Sequence, residues 1–188
     1  PINLQARSNH WRIVNNEIGP WRAEDGASGA EARSAGISGN GEDVSILGNH
    51  IHDIGGGALN HCVYLDTGAT EVEIAFNHIE HCTGGNIIQT YDNLGTRQLS
   101  RLSIHHNLMH DGNRFGLNIA DGTGSVRIWD NIVYNTGLAA LRLHVERDTP
   151  SDIDVQYNTF VRPNLHEGGQ EAAILNDGDL KGRALIAN

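Results

Sequence analysis

Four short segments place polar side chains between apolar ones, and these polar side chains could do chemistry. Their polar residues are Tyr64, Asp66, Gln89, Tyr91, Asn118, Arg142 and His144, and Asp92 and Asp121 directly follow two of the segments. Paired carboxyl groups can act as acid and base on a glycoside, imidazole and guanidinium groups can move or hold charge, and Tyr rings with amides suit sugar binding. Whether these groups act together depends on the elements that carry them.

A repeat runs through the whole chain and supplies those elements. One Asn anchors each copy, at spacings of 33, 28, 30, 24 and 27 residues: Asn16, Asn49, Asn77, Asn107, Asn131 and Asn158. The residues five before, three before and two after each anchor are apolar at all eighteen positions, against 38% apolar residues in the chain. A fixed self-similar period of this kind indicates a repeat architecture.

Each copy encodes three short strands. The apolar residues at −5 and −3 lie on one face of a strand, the residue at +2 starts a second inward face, and a third strand lies upstream. Upstream pairs such as Ile2/Leu4, Ala35/Ile37 and Val63/Leu65 mark that upstream strand. We name the sheet that these upstream strands form the first sheet. Each turn buries its apolar side only against its neighbours, so the pattern predicts a solenoid with parallel strands about 4.8 Å apart.

The anchoring Asn column predicts a structural ladder rather than a site. A sharp corner between strands needs a residue that tolerates the left-handed region, and Asn does so. Its amide can also donate to, and accept from, the corner of the next turn.

The sequence resembles the right-handed parallel β-helix, the pectate-lyase-like superfold. The phrase Ile46-Leu47-Gly48-Asn49-His50-Ile51-His52-Asp53, its echo at 104–111 and the Asn ladder carry the resemblance, which covers nearly the whole chain. It implies an all-β solenoid of about six coils of three short strands, in one domain over residues 1–188. The superfold hosts lyases, hydrolases, epimerases, phage tailspikes and binding proteins, so the resemblance implies a fold and no single function.

The first sheet is the expected site, because the insertions Trp21–Ser34, Asn93–Arg101 and Pro163–Glu171 border it and solenoids place insertions on their working face.

The preferred function is lyase-like cleavage of a uronate-containing glycan, with Asp92 and Asp121 holding Ca²⁺ and Arg142 or His144 as base, as lyases of this superfold imply. The signature strings of those lyases are absent. The alternatives are a glycoside hydrolase that uses Asp92 and Asp121, and a non-catalytic carbohydrate-binding or structural solenoid of the surface or tail-fibre type. Binding would use Tyr64, Asp66, Gln89, Tyr91 and Asn118.

Each candidate residue also has an ordinary structural explanation. Asp at the end of a strand is common in turns, and Asp121-Gly122 and Asp177-Gly178 fit that use. Arg142 could form a surface salt bridge with Glu146 or Asp121, and Tyr64 and Tyr91 are good strand residues in their own right. The catalytic hypothesis requires Arg142, His144, Asp92 and Asp121 to converge on one groove.

The eleven histidines suggest a metal hypothesis. His52, Glu80 and His110 share position +3 on three consecutive turns, and His50 and His78 share position +1 beside them. His and Glu can bind Zn²⁺ or another divalent ion, but two turns span about 9.6 Å, too far for His52 and His110 to bind the same ion. The adjacent pair His50/His78 stays open, and the alternative is a solvated face.

Cys62 and Cys82 fall near the same corner of consecutive turns. A disulfide and two buried thiols are both open, and the thiols are preferred.

Composition argues against two classes of partner, whereas the expected partner, a polysaccharide, follows from the resemblance and the outward residues of the first sheet. The net charge is −10, with 12 Arg and one Lys, so neither a nucleic acid nor an anionic membrane is expected to bind. No apolar run is long enough to span a bilayer. The expected location is extracellular or periplasmic, although no signal peptide is present. Both ends look truncated or uncapped, which predicts self-association or caps outside this sequence.

Overall fold

The regular structure is entirely β. A computed structural model describes residues 1–22, 35–96, 99–145, 150–166, 172–178 and 180–187, and within them side chains 5–8 and 181–182 are not described. The strands in these ranges are β1 (Ile2–Val14), β2 (Glu17–Ile18), β3 (Trp21–Arg22), β4 (Ile37–Leu47), β5 (His50–Gly55), β6 (Val63–Asp66), β7 (Thr70–Ala75), β8 (His78–Cys82), β9 (Ile88–Tyr91), β10 (Ser100–His105), β11 (Leu108–Gly112), β12 (Leu117–Ala120), β13 (Gly124–Trp129), β14 (Ile132–Thr136), β15 (Leu141–His144), β16 (Ser151–Gln156), β17 (Thr159–Val161), β18 (Ile174–Asn176) and β19 (Lys181–Ala187).

The strands wind into a parallel β-solenoid, which confirms the predicted parallel β-helix. The solenoid has about five turns, where the sequence predicted about six. One face, β5-β8-β11-β14-β17 with β2 and β3, forms a separate seven-stranded sheet, which we name the third sheet. The first sheet (β6, β9, β12, β15, β18) and the second (β7, β10, β13, β16, β19) join into one twelve-stranded sheet. They join because β4 runs through the corner between them and pairs with β6, β7 and β1.

Strand register confirms the apolar columns of the repeat. Val44 pairs with Val72, and the row continues through equivalent positions; the rows at −3 and +2 are in register in the same way. Most of these side chains are buried in one core. Trp11 is the exception, at 46% exposed, because β1 pairs only with β4 among the described strands, which covers Trp11 from one side. Phe160 is half-buried.

The predicted alignment of the first-sheet strands was wrong at one place. Ile2 pairs with Ile37 and Leu4 with Gly39, so the Ala35/Ile37 pair is offset by two residues from the strand it was matched to. The later matches hold: Ile37 pairs with Val63, Leu117 with Leu141, and Leu143 with Asn176.

The six anchor residues form a continuous hydrogen-bonded ladder. The Oδ1 atom of Asn77 accepts the backbone N–H of Asn49 (2.9 Å) and its Nδ2–H (3.0 Å). The Nδ2 atom of Asn77 donates to Oδ1 of Asn107 (2.9 Å) and to the carbonyl of Ile46 (2.8 Å). The same contacts recur along the column: Asn16–Asn49, Asn107–Asn131 and Asn131–Asn158. Asn49, Asn77, Asn107 and Asn131 are buried, so the ladder satisfies polar groups that water cannot reach.

The left-handed corner residue is one position earlier than predicted. Positive φ occurs at the residue before each ladder Asn and not at the Asn itself: Asn15, Gly48, Phe76, His106, Asp130 and Tyr157, with φ between 52° and 63°. The left-handed residue turns the chain, and the Asn that follows directs its amide along the column. Phe and Tyr accept this strained conformation because the ladder and the strands fix both sides of the corner.

Cys62 and Cys82 form a disulfide with a Cα–Cα distance of 5.8 Å. The preference for two thiols was therefore wrong. Cys82 ends β8 and Cys62 directly precedes the first-sheet strand β6, so the bridge links the end of β8 to the first-sheet strand that comes before it in the chain. This places a covalent link at the edge of the site described below.

We expect Asn77→Ala to lower the free energy of unfolding by about 3–5 kcal/mol. The change leaves two donors of Asn49 and the carbonyl of Ile46 without their partner, and a buried polar group left unpaired costs about 1–3 kcal/mol. Urea unfolding followed by circular dichroism measures the effect. Asn16→Ala is the matched control, because Asn16 is exposed and the loss there should be about 1 kcal/mol. Equal losses in the two variants would contradict a buried ladder as the source of stability.

Candidate functional site

The outward side chains of the first sheet form in-register rows. Tyr64 pairs with Gln89, Gln89 with Asn118, and Asn118 with Arg142, so these four residues follow one another across four strands. In the neighbouring row Asp66 pairs with Tyr91 and Ala120 with His144. All seven polar residues that alternation placed outward line one cavity of about 490 Å³, which we name the first-sheet groove. Its further lining residues are Ala35, Ala58, Leu59, His61, Asn86, Asn93, Arg114 and Phe115.

Amide groups form the floor of the groove. The Oε1 atom of Gln89 accepts hydrogen bonds from Nδ2 of Asn86 (2.5 Å) and Nδ2 of Asn118 (2.7 Å), and Nε2 of Gln89 donates to the Thr90 carbonyl (2.7 Å). The three side chains are almost fully buried and hold each other in place. The Oδ1 atom of Asn118 is buried without a partner among the described residues.

Aromatic rings form one wall of the groove. The ring of Tyr64 stacks on His61 with centroids 5.5 Å apart. Nδ2 of Asn93 bonds to the Tyr64 hydroxyl (2.8 Å) and donates to Oδ1 of Asp66 (2.6 Å), which ties the start of the Asn93–Arg101 insertion to the wall. Tyr91 lies beside Asp66 on the next turn. Residues 23–34 of the Trp21–Ser34 insertion, 167–171 of Pro163–Glu171, and 97–98 lie outside the described residues.

His61 is a buried neutral imidazole under this wall. Its Nδ1 atom accepts the backbone N–H of Asn86 (2.8 Å), which leaves the ring proton on Nε2. Burial, helped by the positive charge of Arg114, lowers the pKa of His61 from 6.5 to about 4. The ring is therefore uncharged at neutral pH and gives Tyr64 a flat support.

Arg142 is held between a ring and a carboxylate. Its guanidinium lies 4.8 Å from the centroid of Phe115, and Nε donates to Oδ2 of Asp177 at 2.8 Å, with Nη2 on the same oxygen. Nδ1 of His144 lies 3.1 Å from Oδ1 of Asp177. Although burial raises the pKa of Asp177, the hydrogen bonds from Arg142 and His144 outweigh it and hold that pKa below its ordinary value. Asp177 is thus the ion-pair partner of Arg142; Glu146 lies outside the described residues.

Asp92 and Asp121 do not line the groove. Both are buried, at 0% and 1% exposed, beside the corner that follows the first-sheet strands. Oδ1 of Asp92 accepts the Thr67 hydroxyl (2.7 Å) and the N–H of Leu94 two residues on (3.2 Å), an arrangement typical of turns. The structure therefore does not bring Asp92 and Asp121 together with Arg142 and His144, as the catalytic hypothesis required.

The carboxyl of Asp92 also fits Ca²⁺ poorly. Calcium takes six to eight oxygen ligands in a flexible shell. An oxygen of Asp92 already accepts two donors, and a Cβ built on Gly122 would lie 2.9 Å from the other oxygen, so the carboxyl packs tightly against the turn of the next coil. The carboxyl of Asp92 therefore has little room for the ligand shell that calcium needs.

Sequence reasoning missed four residues that line the groove, His61, Asn86, Arg114 and Phe115, and did not connect Asp177 to it. His61, Asn86 and Phe115 occupy one column, two residues before the first-sheet strands, as the backbone bonds Cys62 N to Asn86 O and Ile87 N to Phe115 O show. Extending the repeat alignment two residues upstream would have found them. Arg114 adjoins this column. The sequence predicts a turn at Asp177, and no periodic signal connects that residue to Arg142.

Histidines gather on the third sheet as the repeat predicted. His52 pairs with Glu80 and Glu80 with His110, while His50 pairs with His78. His52 turns to Asp53 (2.8 Å), and this hydrogen bond raises the pKa of His52. Burial and the neighbouring imidazoles lower the pKa of His78.

Comparisons with protein-family models, with curated proteins and with solved structures found no match, so function is argued from the geometry. The part of the chain that the structure describes contains no helix long and apolar enough to cross a bilayer.

We expect unfolding to become easier as the pH falls from 6.5 to 4 because of His61. The unfolded ring takes up a proton near pH 6.5 and the folded ring only near pH 4. The unfolded state therefore binds more protons in this window, and the free energy of unfolding decreases as the pH decreases. The full shift corresponds to about 3 kcal/mol. His61→Asn, which keeps an acceptor for Asn86, removes this contribution.

Urea unfolding of both proteins at several pH values isolates the effect, since every other titrating group is common to the two. As the pH decreases from 6.5 to 4, the free energy of unfolding of the wild type should fall more steeply than that of His61→Asn. Above pH 7 the two free energies should change in parallel. Parallel curves over the whole range would contradict a buried neutral His61.

Proposed function

We propose that the first-sheet groove binds a glycan that carries carboxylate groups. The observation that supports this is the make-up of one cavity of about 490 Å³, in which two Tyr rings, a row of amides and two guanidinium groups lie together. Flat rings pack on the apolar faces of sugars, and amides exchange hydrogen bonds with hydroxyls. Guanidinium groups suit carboxylates.

The groove is extended, which suits a polymer. Its central row passes from Tyr64 on β6 to Gln89 on β9, Asn118 on β12 and Arg142 on β15, a span of roughly 14 Å at the strand spacing of a sheet. A volume of about 490 Å³ falls in the usual range for small-molecule sites. Several sugar units can therefore contact one row of side chains.

Charge supports the carboxylate preference. The chain as a whole carries −10, yet Arg114 and Arg142 both line the groove. Asp177 compensates Arg142, whereas Arg114 has no ion pair within the described ranges. Asp66, whose Oδ1 accepts a hydrogen bond from Asn93, is the acidic residue among the described lining residues, so Arg114 is the guanidinium left to bind an anionic sugar.

An extracellular or periplasmic location fits this proposal. The disulfide between Cys62 and Cys82 supports it, because disulfides persist in oxidising compartments and are rare in the cytosol.

We expect Tyr64→Ala and Tyr91→Ala each to weaken binding of a uronic-acid oligosaccharide about five- to tenfold. Losing one stacked ring removes about 1 kcal/mol. Isothermal titration calorimetry with the uronate oligosaccharide, and with a neutral one of equal length, gives both affinity and preference. Tyr157→Ala is the matched control, because Tyr157 is an exposed Tyr at a ladder corner outside the groove.

Three results would count against the proposal: no binding of either oligosaccharide, equal losses in Tyr64→Ala and Tyr157→Ala, or tighter binding of the neutral sugar. The last would keep a glycan groove and remove the preference for carboxylates.

Cleavage by β-elimination is a second candidate, and the His144–Asp177 pair favours it. The contact at 3.1 Å from Asp177 to Nδ1 favours the tautomer that leaves the lone pair on Nε2. That atom could remove the proton beside a uronate carboxylate; the new carbon–carbon double bond would then expel the glycosidic oxygen, which takes up a proton from solvent. This route uses neither Asp92 nor Asp121.

We expect a lyase to raise the ultraviolet absorbance of uronate polymers as the unsaturated product forms, and His144→Gln to abolish the rise. Asp177→Asn should slow it, since the ring of His144 loses its charged partner. Binding measured by calorimetry on the same His144→Gln protein separates the two functions. No rise with any uronate polymer, with binding intact, removes the lyase function and leaves the binding groove.

A further inference from the structure

Four side chains converge on the exposed face of the third sheet. Nε2 of His50 lies 2.8 Å from Oε1 of Glu80, and Nε2 of His78 and of His110 lie 3.9 and 3.6 Å from Oε2 of Glu80. The two nitrogens of His78 and His110 are 2.8 Å apart. These residues come from three neighbouring strands, β5, β8 and β11, so three turns of the solenoid meet at one point. We name them the histidine–glutamate cluster.

The spacing of these atoms matches the coordination shell of a small ion. Zn²⁺ binds His nitrogen at 2.0–2.1 Å in tetrahedral geometry, so ligand atoms around it lie about 3.3 Å apart. The three separations among His78, Glu80 and His110, from 2.8 to 3.9 Å, lie on both sides of that value. His50, His78 and Glu80 each offer a ligand atom, and these atoms lie within 4.8 Å of one another. His78, Glu80 and His110 come from two adjacent turns, so small side-chain rotations suffice to place their three ligand atoms around one ion.

Without an ion, the imidazoles of His78 and His110 share one hydrogen bond. Two imidazole nitrogens at 2.8 Å need a proton between them, and only one of the two can be the donor. A cation that accepts both lone pairs replaces this shared proton. The neighbouring negative charge of Glu80 offsets the charge of the ion.

The surroundings hold the ring of His110 in a ligand orientation. Nδ1 of His110 lies 2.8 Å from Oδ2 of Asp111, whose other oxygen accepts Nδ2 of Asn135 at 3.0 Å. A carboxylate on the far nitrogen of a His is typical of metal sites, because it orients the ring and strengthens the ligand. The ring of Tyr134 stacks on His110 with centroids 4.5 Å apart.

We propose that His78, Glu80 and His110 bind one divalent transition-metal ion, for which Zn²⁺ is the best match, while His50 holds the other oxygen of Glu80. Two nitrogen donors and one carboxylate suit Zn²⁺ and its first-row neighbours, whereas Ca²⁺ and Mg²⁺ prefer oxygen. His110 and Glu80 are mostly covered, while His50 and His78 are about 40% exposed, so an ion has a path in from solvent. The ion links two adjacent turns and lies on a different sheet from the groove, so this site does not depend on the glycan proposal.

Titration of Zn²⁺ into chelator-treated and dialysed protein, followed by calorimetry, tests the site. The expected result is one ion per chain and a higher unfolding temperature in its presence. Glu80→Gln, which keeps the shape of the side chain, and His78→Ala should each weaken binding at least tenfold. Asp111→Asn, which changes a positioning residue, should weaken it about tenfold. His10→Ala is the control, because His10 is an exposed His outside the cluster.

A tetrahedral absorption spectrum with Co²⁺ in the wild type, lost in Glu80→Gln, supports the assignment, and circular dichroism shows that each variant is folded. Absence of stoichiometric binding by the wild type overturns the proposal. So does binding that Glu80→Gln and His78→Ala leave unchanged, or that His10→Ala weakens as much as they do, because the ion is then held elsewhere or by scattered histidines.

Discussion

The asparagine ladder is the interaction on which the rest of the structure depends. Each inner ladder side chain accepts two hydrogen bonds from the turn before it and donates to the turn after it, as Asn77 does to Asn49 and Asn107. These amides are buried, so a turn that slipped by one residue would leave them unpaired and would also turn its apolar residues outward. Polar pairing at the corner and apolar burial along the strands thus demand the same register.

Register is what converts alternation in the sequence into a surface. Because Tyr64, Gln89, Asn118 and Arg142 are register partners, residues 24 to 29 apart in sequence become neighbours about 4.8 Å apart. On the third sheet the same rule stacks His50 on His78, with ring centroids 4.9 Å apart. The two faces differ in their borders. Loops and the column of His61, Asn86 and Phe115 wall the first sheet into a groove, whereas the histidine–glutamate cluster lies on an open face.

Periodicity predicted the features that repeat, namely the strands, the core columns, the ladder and the outward rows. It could not predict features that occur once. Asp177 contacts Arg142 because of the backbone conformation of a single corner. The spacing of residues along the chain does not predict that conformation. The left-handed corner was placed one residue late because its positions hold Phe76 and Tyr157 as well as Asn15, so no residue type marks it. The disulfide likewise depended on a distance between corners that the repeat left open.

The corners also explain which carboxyl groups are free for chemistry. A turn at the end of a strand leaves N–H groups that need acceptors, and Asp92 supplies one to Leu94 while also binding Thr67. Asp92 and Asp121 are both buried and neither lines the groove, so the two Asp residues that sequence placed one turn apart do not form an acid pair there. Asp177 instead reaches into the groove wall, where it orients Arg142 and His144. Among the described groove residues, His144 is the imidazole that has a carboxylate on one nitrogen and also lines the cavity. His144 is therefore the residue best placed to transfer a proton in this groove.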